Sequence, residues 1–219
     1  MDLSVYVITA DVPDLNRTHL DVAKEAILGG ATVIQFREKR RETREMLEIG
    51  SSLRKLTREA GIPLIVNDRI DVALVIQADG VHVGQDDMPL EEVKRLVPDH
   101  MVIGVSATNL EEAIVAQEGG ASYLGVGPVF PTPSKDDAAE PMGMDKLAEI
   151  REKISIPIVA IGGITLENLK EVLSTGIDGV AVISAVACAA SMREATRELY
   201  RRIVGPRQGA SATMKTTDR

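Results

Sequence analysis

The feature that most constrains the fold is a repeat of short apolar runs, each followed by an amphipathic helical stretch. The runs are Ser4–Thr9, Thr32–Arg37, Pro63–Asn67, Gly80–Gly84, Val102–Ser106, Tyr123–Gly127, Ile156–Ile161 and Asp178–Ile183. Such runs, rich in β-branched residues, are typical of strands in a parallel sheet that helices cover. Regular alternation of strand and helix therefore predicts an α/β fold with a parallel sheet.

The segments between the strands favour a closed barrel over an open sheet. Helical periodicity covers Leu20–Leu28, Thr43–Glu59, Pro89–Leu96, Leu110–Glu118, Met144–Ile154, Leu166–Leu173 and about Met192–Ile203. An open doubly wound sheet normally carries a Gly-x-Gly-x-x-Gly turn after its first strand, whereas Thr9 is followed by Ala10-Asp11-Val12-Pro13. We predict a single (β/α)8 TIM barrel over residues 1–204. Residues 205–219 are polar and aperiodic, and we predict a disordered tail there.

Charge and cysteine content exclude several classes of protein. The net charge of −8 makes the chain a poor binder of phosphate backbones, which argues against a nucleic-acid partner. A lone cysteine, Cys188, excludes an intrachain disulfide framework, and its alanine-rich surroundings predict a small core residue. The longest apolar run is too short to cross a bilayer, and the first residues do not resemble a secretory signal. We therefore expect a cytoplasmic protein with no membrane partner.

In TIM barrels, functional groups lie at the C-terminal ends of the strands. The second strand ends in Gln35-Phe36-Arg37-Glu38-Lys39, and strand alternation places Gln35 and Arg37 on the inward face and Phe36 on the outward face. Arg37 is thus predicted to point into the top of the barrel, with Lys39 just beyond it. The alternative is a solvated charge cluster, because arginine also follows at positions 40, 41 and 44.

Carboxylates follow the next two strands. Asp68 ends the third strand after Asn67, and Asp86 and Asp87 follow the fourth. Carboxylates on neighbouring strand ends favour a hard cation such as Mg²⁺. The alternative is that these aspartates cap the following helices. His82, within the fourth strand, is interpreted as a hydrogen-bonded core residue.

The last four strand ends predict anion-binding groups. Ser106 ends the fifth strand, and the proline-rich loop after the sixth carries Thr132, Ser134 and Lys135, which suit an anion lid unless this is an ordinary surface loop. The seventh strand ends at Gly162-Gly163 and the eighth at Ile183-Ser184. Loops at these two positions bind phosphate in many barrels, although a glycine turn is also required by backbone geometry alone.

Five segments together resemble the motif series of the thiamine phosphate synthase (thiamine-phosphate pyrophosphorylase) family. They are Gln35–Lys39, Asn67-Asp68, His82–Asp87, Gly127–Lys135 and Ile161–Ile164. The resemblance covers about residues 3–204. The glycine pair is common to many phosphate-binding barrels, whereas the first three segments, in this order, are strongly specific.

The resemblance implies the condensation of hydroxymethylpyrimidine diphosphate with thiazole phosphate, which gives thiamine phosphate and pyrophosphate. It implies Mg²⁺ held by Asp68 and Asp87, where the motif spacing selects Asp87 over Asp86. The implied catalytic residues are Arg37, Lys39 and Lys135. The implied substrate-binding residues are Gln35, Phe36, Arg37, Glu38, Lys39, Asn67, Ser106, Thr132, Ser134, Lys135, Gly163, Ile183 and Ser184.

Three other functions differ from this one in the residues that they require. A thiazole phosphate tautomerase should lack the carboxylates and the lysine-bearing loop, and phosphoribosylanthranilate isomerase would need a cysteine near the first strand. A non-catalytic barrel that binds a phosphorylated metabolite should keep Gly163 and Ser184 but lose the cationic groups, which are all present here. Homo-oligomerisation is left open by the sequence.

Overall fold

The computed structural model describes residues 1–132 and 140–214, with side chains up to residue 205. The strands are β1 Val5–Thr9, β2 Val33–Phe36, β3 Leu64–Asn67, β4 Gly80–Val83, β5 Val102–Ala107, β6 Tyr123–Val126, β7 Ile158–Ile161 and β8 Gly179–Val182. The helices are α1 His19–Gly29, α2 Thr43–Ala60, α3 Ile70–Val75, α4 Leu90–Leu96, α5 Leu110–Glu118, α6 Gly143–Lys153, α7 Leu169–Ser174, α8 Ser184–Ala187 and α9 Met192–Met214. A short 3-10 turn, Pro13–Leu15, precedes α1.

The strands close into a barrel in sequence order, with β8 paired to β1. Every neighbouring pair is parallel; Ile8 of β1, for example, lies opposite Gln35 of β2. The prediction of a TIM barrel is confirmed. Because all strands run the same way, their C-terminal ends meet at one rim of the barrel, where side chains from distant parts of the sequence come together.

Two apolar layers hold the barrel. The interior layer contains Leu3, Tyr6, Ile8, Val33, Ile65, Tyr123, Val159 and Ala181. The larger outer layer lies between strands and helices, and Ile34 and Phe36 of β2 belong to it. Consecutive residues of β2 therefore face opposite sides, as the alternation predicts.

The structure differs from the sequence predictions at three helices and at Cys188. Helices α3 and α8 are outside the predicted set: the four residues of α8 are too few to display a helical period, and five of the six residues of α3 are apolar, so α3 displays no amphipathic pattern. Helix α9 ends at Met214 rather than near Ile203, so it includes residues that we had assigned to the tail. Cys188 is exposed, so its prediction as a core residue is wrong: it lies at the end of α8, where the chain turns outward. None of the described helices is long and apolar enough to span a membrane.

Candidate active site

A pocket of about 750 Å³ opens at the C-terminal rim of the barrel. This volume is typical of sites for small ligands. Ten of the residues predicted from the sequence line it: Arg37, Lys39, Asn67, Asp68, Asp87, Ser106, Thr132, Gly163, Ile183 and Ser184. Ser134 and Lys135 lie outside the described residues. The strand ends thus bring most of the predicted site into one cavity.

Some side chains at the end of β2 and just after it line the pocket, and others point away from it. Arg37 and Lys39 line the pocket. Phe36 is fully buried in the outer layer, with its ring edge-on to that of His19, so its side chain does not reach the pocket. Glu38 also turns away and lies 3.2 Å from His19. A substrate contact by Phe36 or Glu38 would therefore have to use the backbone.

Asp68, Asp87 and Lys39 form a compact charged group on one wall of the pocket. Lys39 Nζ lies 2.5 Å from Asp68 Oδ2, and the carboxyl groups of Asp68 and Asp87 hydrogen-bond to each other. Asp87 Oδ2 accepts a bond of 2.8 Å from the backbone N–H of Gly84. The helices that follow begin without a side-chain cap, so these aspartates face the pocket instead of capping α3 or α4.

The pKa values of the two adjacent carboxyl groups are shifted in opposite directions. Burial and the adjacent Asp87 raise the pKa of Asp68. Burial by itself would also raise the pKa of Asp87. Hydrogen bonds from Asp68 and from the Gly84 N–H outweigh burial and lower the pKa of that carboxyl. Two neighbouring carboxylates cannot both ionise without compensation. Asp68 also has φ +60°, a left-handed conformation that is uncommon outside glycine and concentrates at functional sites.

A second acidic cluster lies behind the strand-two segment. Among the described residues, Asp11, His19 and Glu38 place potential ligand atoms within 4.8 Å of one another. Arg41 contacts this cluster, at 2.6 Å from Asp11 and 3.3 Å from Glu38. Although burial opposes the shift, the Arg41 hydrogen bond lowers the pKa of Asp11. Arg41 offsets part of the charge of the two carboxylates, and its contacts join the loop after β1 to the segment after β2.

The floor of the pocket combines polar side chains with apolar ones such as Ile161 and Ala181. Gln35, Asn67, His82 and Ser106 line a small cavity of about 20 Å³ beneath it. Gln35 is buried and donates a 2.8 Å hydrogen bond to the hydroxyl of Tyr6. His82 is 8% exposed and its Nε2 lies 2.9 Å from Ser106 Oγ. The interpretation of His82 as a hydrogen-bonded core residue is confirmed, and its partner is a predicted site residue.

The opposite wall is formed mainly by backbone. Gly162 and Gly163 have φ values of +97° and +61°. A Cβ on Gly162 would lie 2.5 Å from Pro128 Cα, and one on Gly163 would lie 2.6 Å from the carbonyl oxygen of Pro131. Both positions therefore require glycine for backbone conformation and for space. Ile183 and Ser184 adjoin this turn, where the short helix α8 begins.

Five polar residues that line the pocket are outside the predicted site: Gln85, Asp86, Thr108, Glu112 and Thr165. Thr108 lines the pocket and donates its hydroxyl to Glu112, which accepts from the Thr108 backbone N–H at 2.7 Å. Gln85 also lines it and donates a 2.7 Å bond to the Ser106 carbonyl oxygen. Their position just beyond β5 and β4 is the sequence feature that could have identified Thr108 and Gln85 as site residues. Asn109 caps α5, because its side chain accepts a hydrogen bond from Glu112 N.

Comparisons with known proteins agree with this geometry. The sequence model of the family described as "Thiamine monophosphate synthase" matches residues 5–186. The thiamine-phosphate synthase of Chloroflexus aurantiacus is 54% identical over 199 residues, which cover 91% of this chain and 92% of that protein. That of Methanospirillum hungatei is 48% identical over 198 residues, covering 90% and 96%.

A solved structure extends the similarity to three dimensions. The thiamine phosphate pyrophosphorylase of Pyrococcus furiosus superposes with a TM-score of 0.86 at 49% identity, covering 94% of this chain and 96% of that one. Orotidine 5'-phosphate decarboxylase of Pyrococcus horikoshii, at 19% identity and a TM-score of 0.66, shares the fold alone. The family match covers most of the barrel, and the relatives match nearly end to end. The chain therefore belongs to the thiamine monophosphate synthase family.

Proposed function

We propose that the protein joins hydroxymethylpyrimidine diphosphate to thiazole phosphate, with release of thiamine phosphate and pyrophosphate. One observation carries the proposal: a single pocket has a charged wall at Arg37, Lys39, Asp68 and Asp87, facing a glycine-rich backbone wall at Gly163. Two different anion-binding walls suit a reaction that holds two phosphorylated substrates at once. The similarity to thiamine-phosphate synthases over 91% of the chain supports the same substrates.

The bond that breaks joins the pyrimidine methylene carbon to a diphosphate oxygen. Its electron pair leaves with pyrophosphate, and the thiazole ring nitrogen supplies the pair that forms the new carbon–nitrogen bond. Arg37 and Lys39 are placed to stabilise the negative charge that grows on the leaving group, which is where an enzyme gains most. In a dissociative route, the carbon–oxygen bond breaks first and leaves a pyrimidine cation that the thiazole nitrogen attacks, so the pocket needs no strong base. Its remaining task is to hold the two rings in line.

Asp68 and Asp87 fit a divalent cation, and we propose Mg²⁺. Both are oxygen donors on the pocket wall, and their carboxyl groups lie within hydrogen-bonding distance of each other, so a divalent cation between them would balance the two negative charges that they carry when both are ionised. When bound, Mg²⁺ would supply positive charge to the diphosphate oxygens. Lys39, at 2.5 Å from Asp68, would then be free to turn toward the diphosphate.

The thiazole phosphate is assigned to the opposite wall. Glycine at 163 lets phosphate oxygens approach the backbone N–H groups, and Ser184 and Thr132 add hydroxyl donors that line the same cavity. The proposal also gives Ser134 a phosphate contact and Lys135 a diphosphate contact. Because phosphorylated substrates do not cross membranes unaided, we propose that the protein works in the cytoplasm.

Pyrophosphate release tests the proposed function directly. We expect release to require both substrates and Mg²⁺, and to stop when EDTA removes the metal. Release from the diphosphate alone would indicate a hydrolase, whereas no release in any condition would favour the tautomerase or a metabolite-binding barrel. Arg44→Ala serves as a control for charge, because Arg44 is exposed on α2 and does not line the pocket.

A further inference from the structure

A chain of hydrogen bonds crosses the barrel interior beneath the pocket floor. Gln35 Nε2 donates to Tyr6 Oη at 2.8 Å, and Tyr6 Oη lies 2.8 Å from Tyr123 Oη. Tyr123 Oη lies 3.0 Å from His82 Nδ1, and His82 Nε2 lies 2.9 Å from Ser106 Oγ. These five side chains come from five different strands and all line the small cavity. We call them the interior relay.

The donor at one end of the interior relay favours one direction for the bonds that follow. Because Tyr6 accepts from Gln35, its own hydrogen is available to Tyr123, and the hydrogen of Tyr123 is then available to His82 Nδ1. In this direction His82 carries its hydrogen on Nε2 and donates it to Ser106. Ser106 Oγ accepts that bond, so its own hydrogen remains for an acceptor in the pocket. Burial raises the pKa of both tyrosines, so each keeps its hydrogen.

The neighbouring strands leave space for this arrangement. A Cβ on Gly104 would lie 2.5 Å from His82 Nδ1 and would also collide with the hydroxyl of Tyr123. A Cβ on Gly125 would lie 2.9 Å from His82 Cε1. Strands β5 and β6 thus carry glycine at the two inward positions that touch the imidazole. The two rings are held by close packing as well as by hydrogen bonds.

We propose that Tyr6, Tyr123 and His82 are positioning residues, which hold Ser106 as a hydrogen-bond donor to a ring nitrogen of the pyrimidine substrate. The inference rests on the proposed function. Ser106 lies at the pocket floor, where Ile161 and Ala181 also line the cavity, whereas Arg37 and Lys39 line the charged wall. This floor suits the flat, uncharged ring better than the diphosphate. A ring nitrogen has a lone pair and no hydrogen, so it can only accept.

Nitrogen NMR of the ligand-free protein tests the interior relay without any assay of activity. The chain has three histidines, so His82→Gln identifies the His82 signals by their loss. We expect the hydrogen of His82 on Nε2, and Tyr123→Phe should change the Nδ1 shift because that nitrogen loses its donor. A hydrogen on Nδ1 would mean that His82 donates to Tyr123 and that Ser106 donates its hydrogen to His82 Nε2, which would leave Ser106 only as an acceptor towards the substrate and would overturn the proposal.

A double-mutant cycle tests whether Tyr123 acts through Ser106. We expect Tyr123→Phe to lower kcat/KM for the pyrimidine diphosphate about tenfold, as for the loss of one good hydrogen bond, and to leave the KM for thiazole phosphate unchanged. In a Ser106→Ala background the same change should have no further effect. Additive losses would mean that Tyr123 acts only on packing. Tyr200→Phe is the matched control, because it removes a phenol hydroxyl from α9, away from the pocket.

Substrate analogues identify the acceptor. When each pyrimidine ring nitrogen is replaced in turn by C–H, one analogue should lose about tenfold in kcat/KM with the wild-type enzyme and almost nothing with Ser106→Ala. Equal losses in both enzymes for both analogues would show that Ser106 serves the diphosphate, and the proposal would fail. An inactive wild-type enzyme would overturn the proposed function and with it the assignment of the acceptor, while the NMR result would still decide the direction of the interior relay.

Discussion

The two walls of the pocket bind anions by different means. The wall at β2 to β4 is built from side chains: Arg37 and Lys39 supply positive charge, and Asp68 and Asp87 supply oxygen ligands. The wall at β7 and β8 is built mainly from backbone, with Gly162 and Gly163 at φ values that other residues rarely adopt. The first wall depends on which charged groups are present, and the second depends on which side chains are absent.

This difference suits the separate tasks of the two walls. A leaving group gains negative charge during the reaction, and full charges close to it stabilise that change most strongly. A phosphate that remains attached throughout needs only to be held, and fixed backbone N–H groups can do this without charged side chains. Changes at the first wall should therefore affect turnover, whereas changes at the second should affect binding of one substrate.

The largest expected effect is that of Arg37→Ala. Removal of a charge that stabilises the leaving group should lower kcat about 100-fold or more, whereas the KM for thiazole phosphate should change little. Steady-state kinetics with each substrate varied in turn would measure both quantities. Arg44→Ala should leave kcat unchanged, because Arg44 lies seven positions further along the chain and its side chain is exposed on α2. Equal losses in turnover and in thiazole phosphate affinity would break the division between the walls.

The next effect concerns the metal. Asp68→Asn and Asp87→Asn should each raise the Mg²⁺ concentration needed for half-maximal activity by at least about tenfold. A loss of metal affinity of this size is common even when the mutated residue only hydrogen-bonds to a metal ligand. A Mg²⁺ titration of the rate measures it. Asp86→Asn is the matched comparison, because Asp86 adjoins Asp87 and lines the same pocket, so the two variants show which of these carboxylates holds the metal. If Asp86→Asn had the larger effect, the motif spacing would have selected the wrong carboxylate.

The charged wall could be predicted from the sequence for a simple physical reason. Parallel strands carry their C-terminal ends to one rim, so the residue after each apolar run has a predictable location. The alternation of side chains along β2 also predicted that Arg37 and Phe36 face opposite sides. Arg37 lines the pocket, whereas Phe36 is fully buried outside the barrel. The eight apolar runs from which this reasoning starts correspond to the eight strands of the barrel.

Other features depend on contacts that local patterns do not contain. Tyr6 and Tyr123 meet across the barrel at a sequence separation of 117, and each alone resembles an ordinary core aromatic. The contact of Asp11 with His19 and Arg41 likewise requires the loops after β1 and β2 to meet. Glu38 follows the inward-facing Arg37, but His19 and Arg41 draw its side chain away from the pocket. Such contacts are set by tertiary packing, so they had to be seen in the structure.

The smallest expected effect on turnover, and the most selective, is that of Gly163→Ala. The added Cβ would lie 2.6 Å from the Pro131 carbonyl oxygen and would narrow the approach to the backbone N–H groups. The KM for thiazole phosphate should rise about tenfold, while the KM for the pyrimidine diphosphate and kcat should change much less. The matched control is Gly61→Ala, because Gly61 has a similar φ of +69° with no atom within 4 Å of the added Cβ. The left-handed backbone should cost each variant about 1–2 kcal/mol of stability, and Gly163→Ala should lose more because its Cβ also collides with the Pro131 carbonyl oxygen. Only Gly163→Ala should change binding, and a similar rise in KM with Gly61→Ala would trace the effect to general destabilisation instead of the backbone wall.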